Sequence, residues 1–152
     1  MRFLDIDTLV LHSKAEGDDN DLLELYGEAA EQAAELAVNR TIFRDAAARD
    51  AAHATIETRL ADAKAVVDAA QTDVSRTLAN IRYQQVVDQC HRDAHGIIVD
   101  KALIAAMLAT AATSYIIRTN TVAGSGAAAV SVPETAQAVY SMRRYMGEVS
   151  YG

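Results

Sequence analysis

The sequence predicts an all-α fold, a compact helical bundle with a long central helix or helical hairpin and a long loop before the C-terminal helix. Three observations predict it. Apolar residues recur at three- and four-residue steps over most of the chain, the period of a helix buried on one side. The composition is 51% hydrophobic but only 5% aromatic, so alanine supplies much of the apolar surface and helices can approach one another closely. A single proline leaves long stretches without a helix breaker. At 152 residues the chain fits one domain, 1–152, able to bury most of what its unfolded form exposes.

Residues 3–14, "FLDIDTLVLHSK", space Leu4, Ile6, Leu9, Val10 and Leu11 in a way that fits neither helix nor strand, so a short helix and an extended arm both stay open. The turn "AEGDDND" follows, where Asp19 or Asn20 can cap the next helix by accepting from its first free amides. That helix, about Asp21 to Val38, sets Leu22, Leu23, Tyr26, Ala30, Ala33, Ala34 and Ala37 on one side and Glu24, Glu28, Glu31 and Glu35 elsewhere. A solvated face accounts for the acids; a surface kept negative for function is the alternative.

From Asp45, residues Ile56, Leu60, Ala63, Val67, Ala70 and Val74 repeat with heptad spacing, and Leu78 and Ile81 continue it after a stutter. Residues 45–95 therefore read as an extended helical insertion, one long helix or a hairpin, with an alanine-diluted seam that packs against a neighbour. Asp45 and Arg49 are spaced for a favourable acid-first pair. After Gly96 comes an apolar helix, about Val99 to Arg118, with Asp100 as its cap. Leu103, Ile104, Met107, Leu108, Ala111, Tyr115 and Ile116 wrap most of its circumference, which requires enclosure by other helices. Its uncharged run, Ala102 to Ile117, is shorter than the roughly 20 residues a membrane span needs.

Thr119 to Pro133 then forms an uncharged loop of fifteen residues, long enough to call for a functional reason or to be a slack connector. Ser131 and Glu134 are spaced as a capping box for the last helix, with Pro133 tolerated in its first turn. That helix is expected to turn Ala138, Val139, Met142 and Met146 inward and to stop at Gly147.

Charge and motifs narrow the function. The net charge is −7, with residues 1–76 carrying −8 and the remainder +1. No basic stripe exists to grip phosphates tightly. Asp5 and Asp7 interrupt what would be the apolar run of a secretory signal, and the lone Cys90 allows no intrachain disulfide. His91 and His95 could share a helix face and hold a metal, the basis of a rival reading as a small metal-dependent enzyme. Structural zinc sites, however, want four ligands, and histidines in a last helical turn are favoured by the helix dipole without any metal. The glycines of "AGSGAAAVS" lack the lysine of a phosphate loop. No catalytic constellation emerges, so neither enzyme activity nor a cofactor is expected. Tyr115 and Arg118 are different. Arg118 either answers the helix C-terminus or bridges to another element or subunit.

Two stretches carry a resemblance. "DDNDLLELYGEAAEQAAELAVNRTIF" resembles the opening helix of phage head-tail connector proteins of the HK97-type adaptor (head completion) family: an acidic turn, the pair Leu22 and Leu23, and an alanine/glutamate helix ending in Arg40. "GIIVDKALIAAMLATAATSYIIRT", followed after a glycine-containing loop by "VPETAQAVYSMRRY", resembles the family's second signature, with Tyr115, Arg118, Pro133, Val139 and Arg144 at the matching places. The likeness covers residues 15–44 and 96–146, about half of the chain; 45–95 looks longer than the family's usual connection.

The resemblance implies a virion neck protein without enzymatic activity, assembled in the host cytoplasm as a homo-oligomeric ring, a dodecamer, beneath the portal protein. It would extend the DNA channel after packaging, offer a platform to a downstream neck or tail protein, let DNA pass without sequence-specific binding, and engage no membrane. Tyr115, Arg118, Pro133, Tyr140, Arg143 and Arg144 would then form the subunit or portal interface. Glu24, Glu28, Glu31 and Glu35 would face the channel, and the loop 119–133 would order on assembly. The rival of another class is a cellular helical or coiled-coil interaction module, suggested by the heptads at Ile56–Val74.

Overall fold

The computed structural model describes residues 1–15, 19–121 and 132–144, and only the backbone of 118–121. Among these residues the chain is all-α: seven helices accompany one pair of two-residue strands. It divides into two compact units, residues 1–39 with 99–152 and residues 40–98, and the expected insertion 45–95 falls within the second.

In the first unit the open question at the N-terminus resolves to a helix, α1 (Ile6–Ser13), capped by Asp5 through the Thr8 amide and closed by Lys14 in the left-handed region, φ 53°. α2 (Asn20–Val38) follows and ends at Asn39, also left-handed, a conformation that asparagine tolerates. α6 (Lys101–Thr121) packs against α1, α2 and α7 (Glu134–Arg143), and is the enclosed helix its composition requires. Leu9, Leu23, Leu103 and Met107 are fully buried there, while Ala30, Ala34, Ala106 and Ala111 let the backbones close in. Thr110 and Ser114 are buried because each hydroxyl donates to a carbonyl one turn earlier. Asp100 caps α6 as expected, accepting from the Leu103 amide at 2.8 Å.

The inward face of α7 differs from the expectation. Ala136 and Tyr140 are buried, whereas Ala138 is exposed and Met142 is 78% exposed. Tyr140 can bury its whole ring because its hydroxyl meets that of Thr110 at 3.4 Å, and Arg143 on the next turn is tied to Asp100. The N-cap of α7 is Pro133, which has no side chain to donate or accept; Ser131, Met146, Gly147 and residues 122–131 of the loop lie outside the described residues. Residues 119–121 continue α6.

The second unit is built from β1 (Ile42–Phe43), α3 (Ala46–Ala54), α4 (Ile56–Asp68), α5 (Asp73–Ala94) and β2 (Ile97–Ile98). The insertion is thus three helices, with α4 and α5 forming a hairpin. The heptad pattern runs across the break at 69–72, where Thr72 and Ser75 form a capping box that starts α5. Asp45 does not pair with Arg49. It caps α3 through the Ala48 amide, and Arg49 pairs with Asp50 instead. β1 and β2 run parallel, Ile42 beside Ile97 and Phe43 beside Ile98. A Cβ at Gly96 would collide with the Phe43 ring, so only glycine lets the chain enter β2 this closely.

Candidate functional site

The residues singled out near the ends of α6 and α7 separate by burial. Tyr115 is 6% exposed, its hydroxyl donating to Asp19 at 2.5 Å and its ring meeting Tyr26 edge-on at 6.5 Å. Asp19 therefore spends its carboxylate on Tyr115 and makes no side-chain cap to α2. Tyr140 is 2% exposed, and burial pushes its phenol above the ordinary value, the Thr110 contact only partly offsetting this. Both tyrosines were expected at a subunit or portal interface; both instead lie inside the bundle, because each hydroxyl has an internal partner.

Arg143 donates to Asp100 at 2.6 Å, and this bond, followed by that from the Leu103 amide, holds the Asp100 carboxyl below its usual range. One carboxylate thereby caps α6 and ties it to α7. Arg144 is exposed and Pro133 half-buried, so both remain available at a surface. The Arg118 side chain lies outside the described residues.

The glutamates of α2 are not one open acidic face. Glu31 is 3% exposed, and its carboxylate accepts from the successive backbone amides of Arg2, Phe3 and Leu4 at 2.7–3.0 Å. Glu28 meets the Met1 ammonium at 3.3 Å, and Glu35 pairs with Arg2 at 2.7 Å. A hollow of about 450 Å³ lies between these groups, lined by Met1, Arg2, Glu28, Glu31, Gln32 and Glu35. Glu31 leaves the channel-facing set, since a buried carboxylate pinning the N-terminal segment cannot face passing DNA. Glu24 is exposed and Glu28 half-exposed.

The second unit holds a polar centre that sequence reasoning missed. Asp93, 5% exposed, accepts from Thr41 at 2.6 Å, Gln89 at 2.8 Å and Arg59 at 2.6 Å. Burial acts to raise its carboxyl, but the bonds from Thr41, Arg59 and Gln89 outweigh this and hold it below the ordinary aspartate value. The same hydrogen bond raises Arg59. The Asp93 carbonyl also meets His53 Nε2 at 2.9 Å. Asp93 thus joins Thr41, the residue before β1, with α3, α4 and α5 in one knot. Its only sequence signal was the acid–Gln pair at i, i−4 on α5. His91 and His95 are exposed beside it, and among the described residues no group of three His, Cys, Asp or Glu side chains is placed to hold a metal ion.

What the knot does not do is bury apolar surface. α3 and α4 have no buried residue, and Val74, Leu78 and Ile81 of α5 are 73%, 54% and 52% exposed. A second exposed row lies on α2 of the other unit, where Leu25 and Leu36 are 60% and 74% exposed with Ala29 and Gln32 between them. No protein-family model, no curated protein and no solved structure matches the chain. Among the described residues no helix is long and apolar enough to cross a membrane.

Proposed function

We propose that the chain is a structural subunit of a phage neck, forming a ring adaptor between portal and tail that extends the DNA channel after packaging. The observation that carries this reading is the pair of exposed apolar rows, on α2 in one unit and on α5 in the other. A ring is built from head-to-tail contacts, each joining two different patches, so a ring subunit must carry two. The order of the two motif segments along the chain supports the same reading. In the ring Arg144 and Pro133, which remain available at a surface, engage portal or neighbour together with Arg118. The subunit works by helix contacts, without catalysis.

Mixing the purified chain with the portal protein of the same genome and viewing the product by electron microscopy tests this. Rings seated on the portal, with matching density in the neck of intact virions, are the expected result. Absence of the chain from virions, or turnover of a substrate by the purified protein, overturns it. The exposed α4–α5 hairpin favours one other reading, a cellular helical interaction module. For that, a closed dimer that ignores portal is the distinguishing result.

A further inference from the structure

Helix α5 is covered on one side only. Ala79 and Cys90 are buried and Tyr83 and Val86 half-buried on the face toward α4. At about 100° per residue, Val74, Leu78 and Ile81 fall on the opposite side of the helix. They are spaced by four and three residues, the step of a seam made for another helix, and a groove of about 470 Å³ runs on beside Ile81 between Asn80, Gln84, Gln85 and Asp88.

The row on α2 has matching spacing: Leu25, Ala29, Gln32 and Leu36 follow at four, three and four residues. Charge and closure together select which row meets which: a contact of α5 on α5 is isologous and closes a dimer, not a ring. α2 flanks its row with Glu24, Glu28 and Glu35; the Met1 ammonium and Arg2 answer Glu28 and Glu35, but residues 1–39 still carry ten acids against two bases. Two α2 rows brought together would set like charges face to face, which is destabilising. Residues 40–98, by contrast, carry eight acids and eight bases. Beside the α5 row stand exposed Arg82, Asn80, Gln84 and Gln85, whose N–H groups can donate to carboxylates, with the exposed carboxylate of Asp88 the one acid among them. We infer that the α5 row of one copy docks on the α2 row of the next copy, its donors meeting the α2 glutamates. This inference rests on the ring reading above, and names the contact by which the ring closes.

Two surface variants of the full chain test it, Leu78→Glu with Ile81→Glu and Leu25→Glu with Leu36→Glu. All four positions are exposed, and an unchanged helical circular dichroism spectrum checks that each variant folds; Leu→Gln and Ile→Gln versions replace any that does not. By sedimentation between about 1 μM and about 1 mM, the wild-type chain is expected to associate beyond two copies, and each variant alone to stay monomeric, at least about tenfold weaker in association. The two variants mixed in equal amounts should form a one-to-one dimer, because each retains the patch the other has lost. A wild-type chain that remains monomeric, a closed wild-type dimer, or a mixture of variants that stays monomeric overturns the contact. The ring reading is then judged separately by wild-type chain on portal: rings there with the contact disproved mean a ring closed by other surfaces.

Discussion

At the scale of single residues, two glycines and one aspartate show how local crowding sets the cost of change. A methyl at Gly96 would collide with the Phe43 ring and lie 2.9 Å from the Asp93 carbonyl, and backbone cannot move aside cheaply. Gly96→Ala is expected to cost about 1–3 kcal/mol in urea unfolding. At Gly27 the obstacle is the Met1 thioether, on a side chain only 6% exposed, with fully buried Leu9 close by at 3.3 Å. The helix propensity that Gly27→Ala gains, about 1 kcal/mol, offsets part of this crowding, so Gly27→Ala should cost less than Gly96→Ala, and an equal loss would show that Met1 cannot shift. Asp93→Asn leaves three donors facing a neutral amide and is expected to cost about 1–3 kcal/mol. Because the folded Asp93 carboxyl lies below its unfolded value, its contribution is complete above the usual aspartate range and disappears as pH falls through the depressed folded value. Acid titration of the wild type, followed by hydrogen exchange over residues 40–98, should show an extra loss of protection below about pH 4 that Asp93→Asn lacks.

Among the helices, the ends matter more than the middles. Asp100 serves α6 as a cap and α7 as an anchor, and the two roles can be separated. Asp100→Ser keeps an oxygen for the Leu103 amide but loses Arg143; Asp100→Ala loses both. The alanine variant should be less stable than the serine variant by about 1 kcal/mol, the usual worth of a cap. Equal stabilities would mean that the Arg143 tie alone matters. The caps also explain what the sequence made legible. Asp100 before a long apolar run was readable because cap and period agree, and α2 and α6 emerged within a few residues of their expected ends. The turn between α4 and α5 was not, because the heptad continues through it. Thr72 and Ser75 mark it with a less familiar capping box, serine in place of glutamate. The α7 face was misjudged for another reason: methionine outranks tyrosine in apolar character, but Tyr140 has Thr110 to receive its hydroxyl and Met142 has nothing to fill. Glu31 was unreadable for the same cause, since its partners are backbone amides 27 to 29 residues away that no side-chain pattern announces.

Across the whole molecule, burial and charge are divided unequally between the two units. The first holds Leu9, Leu23, Leu103, Met107 and the alanine seams, together with all of the net charge; the second is electrically balanced and buries few large side chains, chiefly Ile42 and Phe43. Local stability follows the density of buried apolar contacts, so amide exchange ought to divide along the same line. In the free chain at low concentration, the amides of α6 from Met107 to Ala112 should exchange slowest. Those of α3 and α4, which have no buried residue, should exchange at least about a hundredfold faster. Raising the concentration then separates intrinsic softness from an unfilled interface. If copies join through the outer row of α5 and the outer row of α2, slowing will be confined to those two helices and α3 will stay fast. Uniform slowing across residues 40–98 would instead mean that the whole second unit folds tightly only on association, and slowing restricted to α7 would place the contact at Arg144 and Pro133.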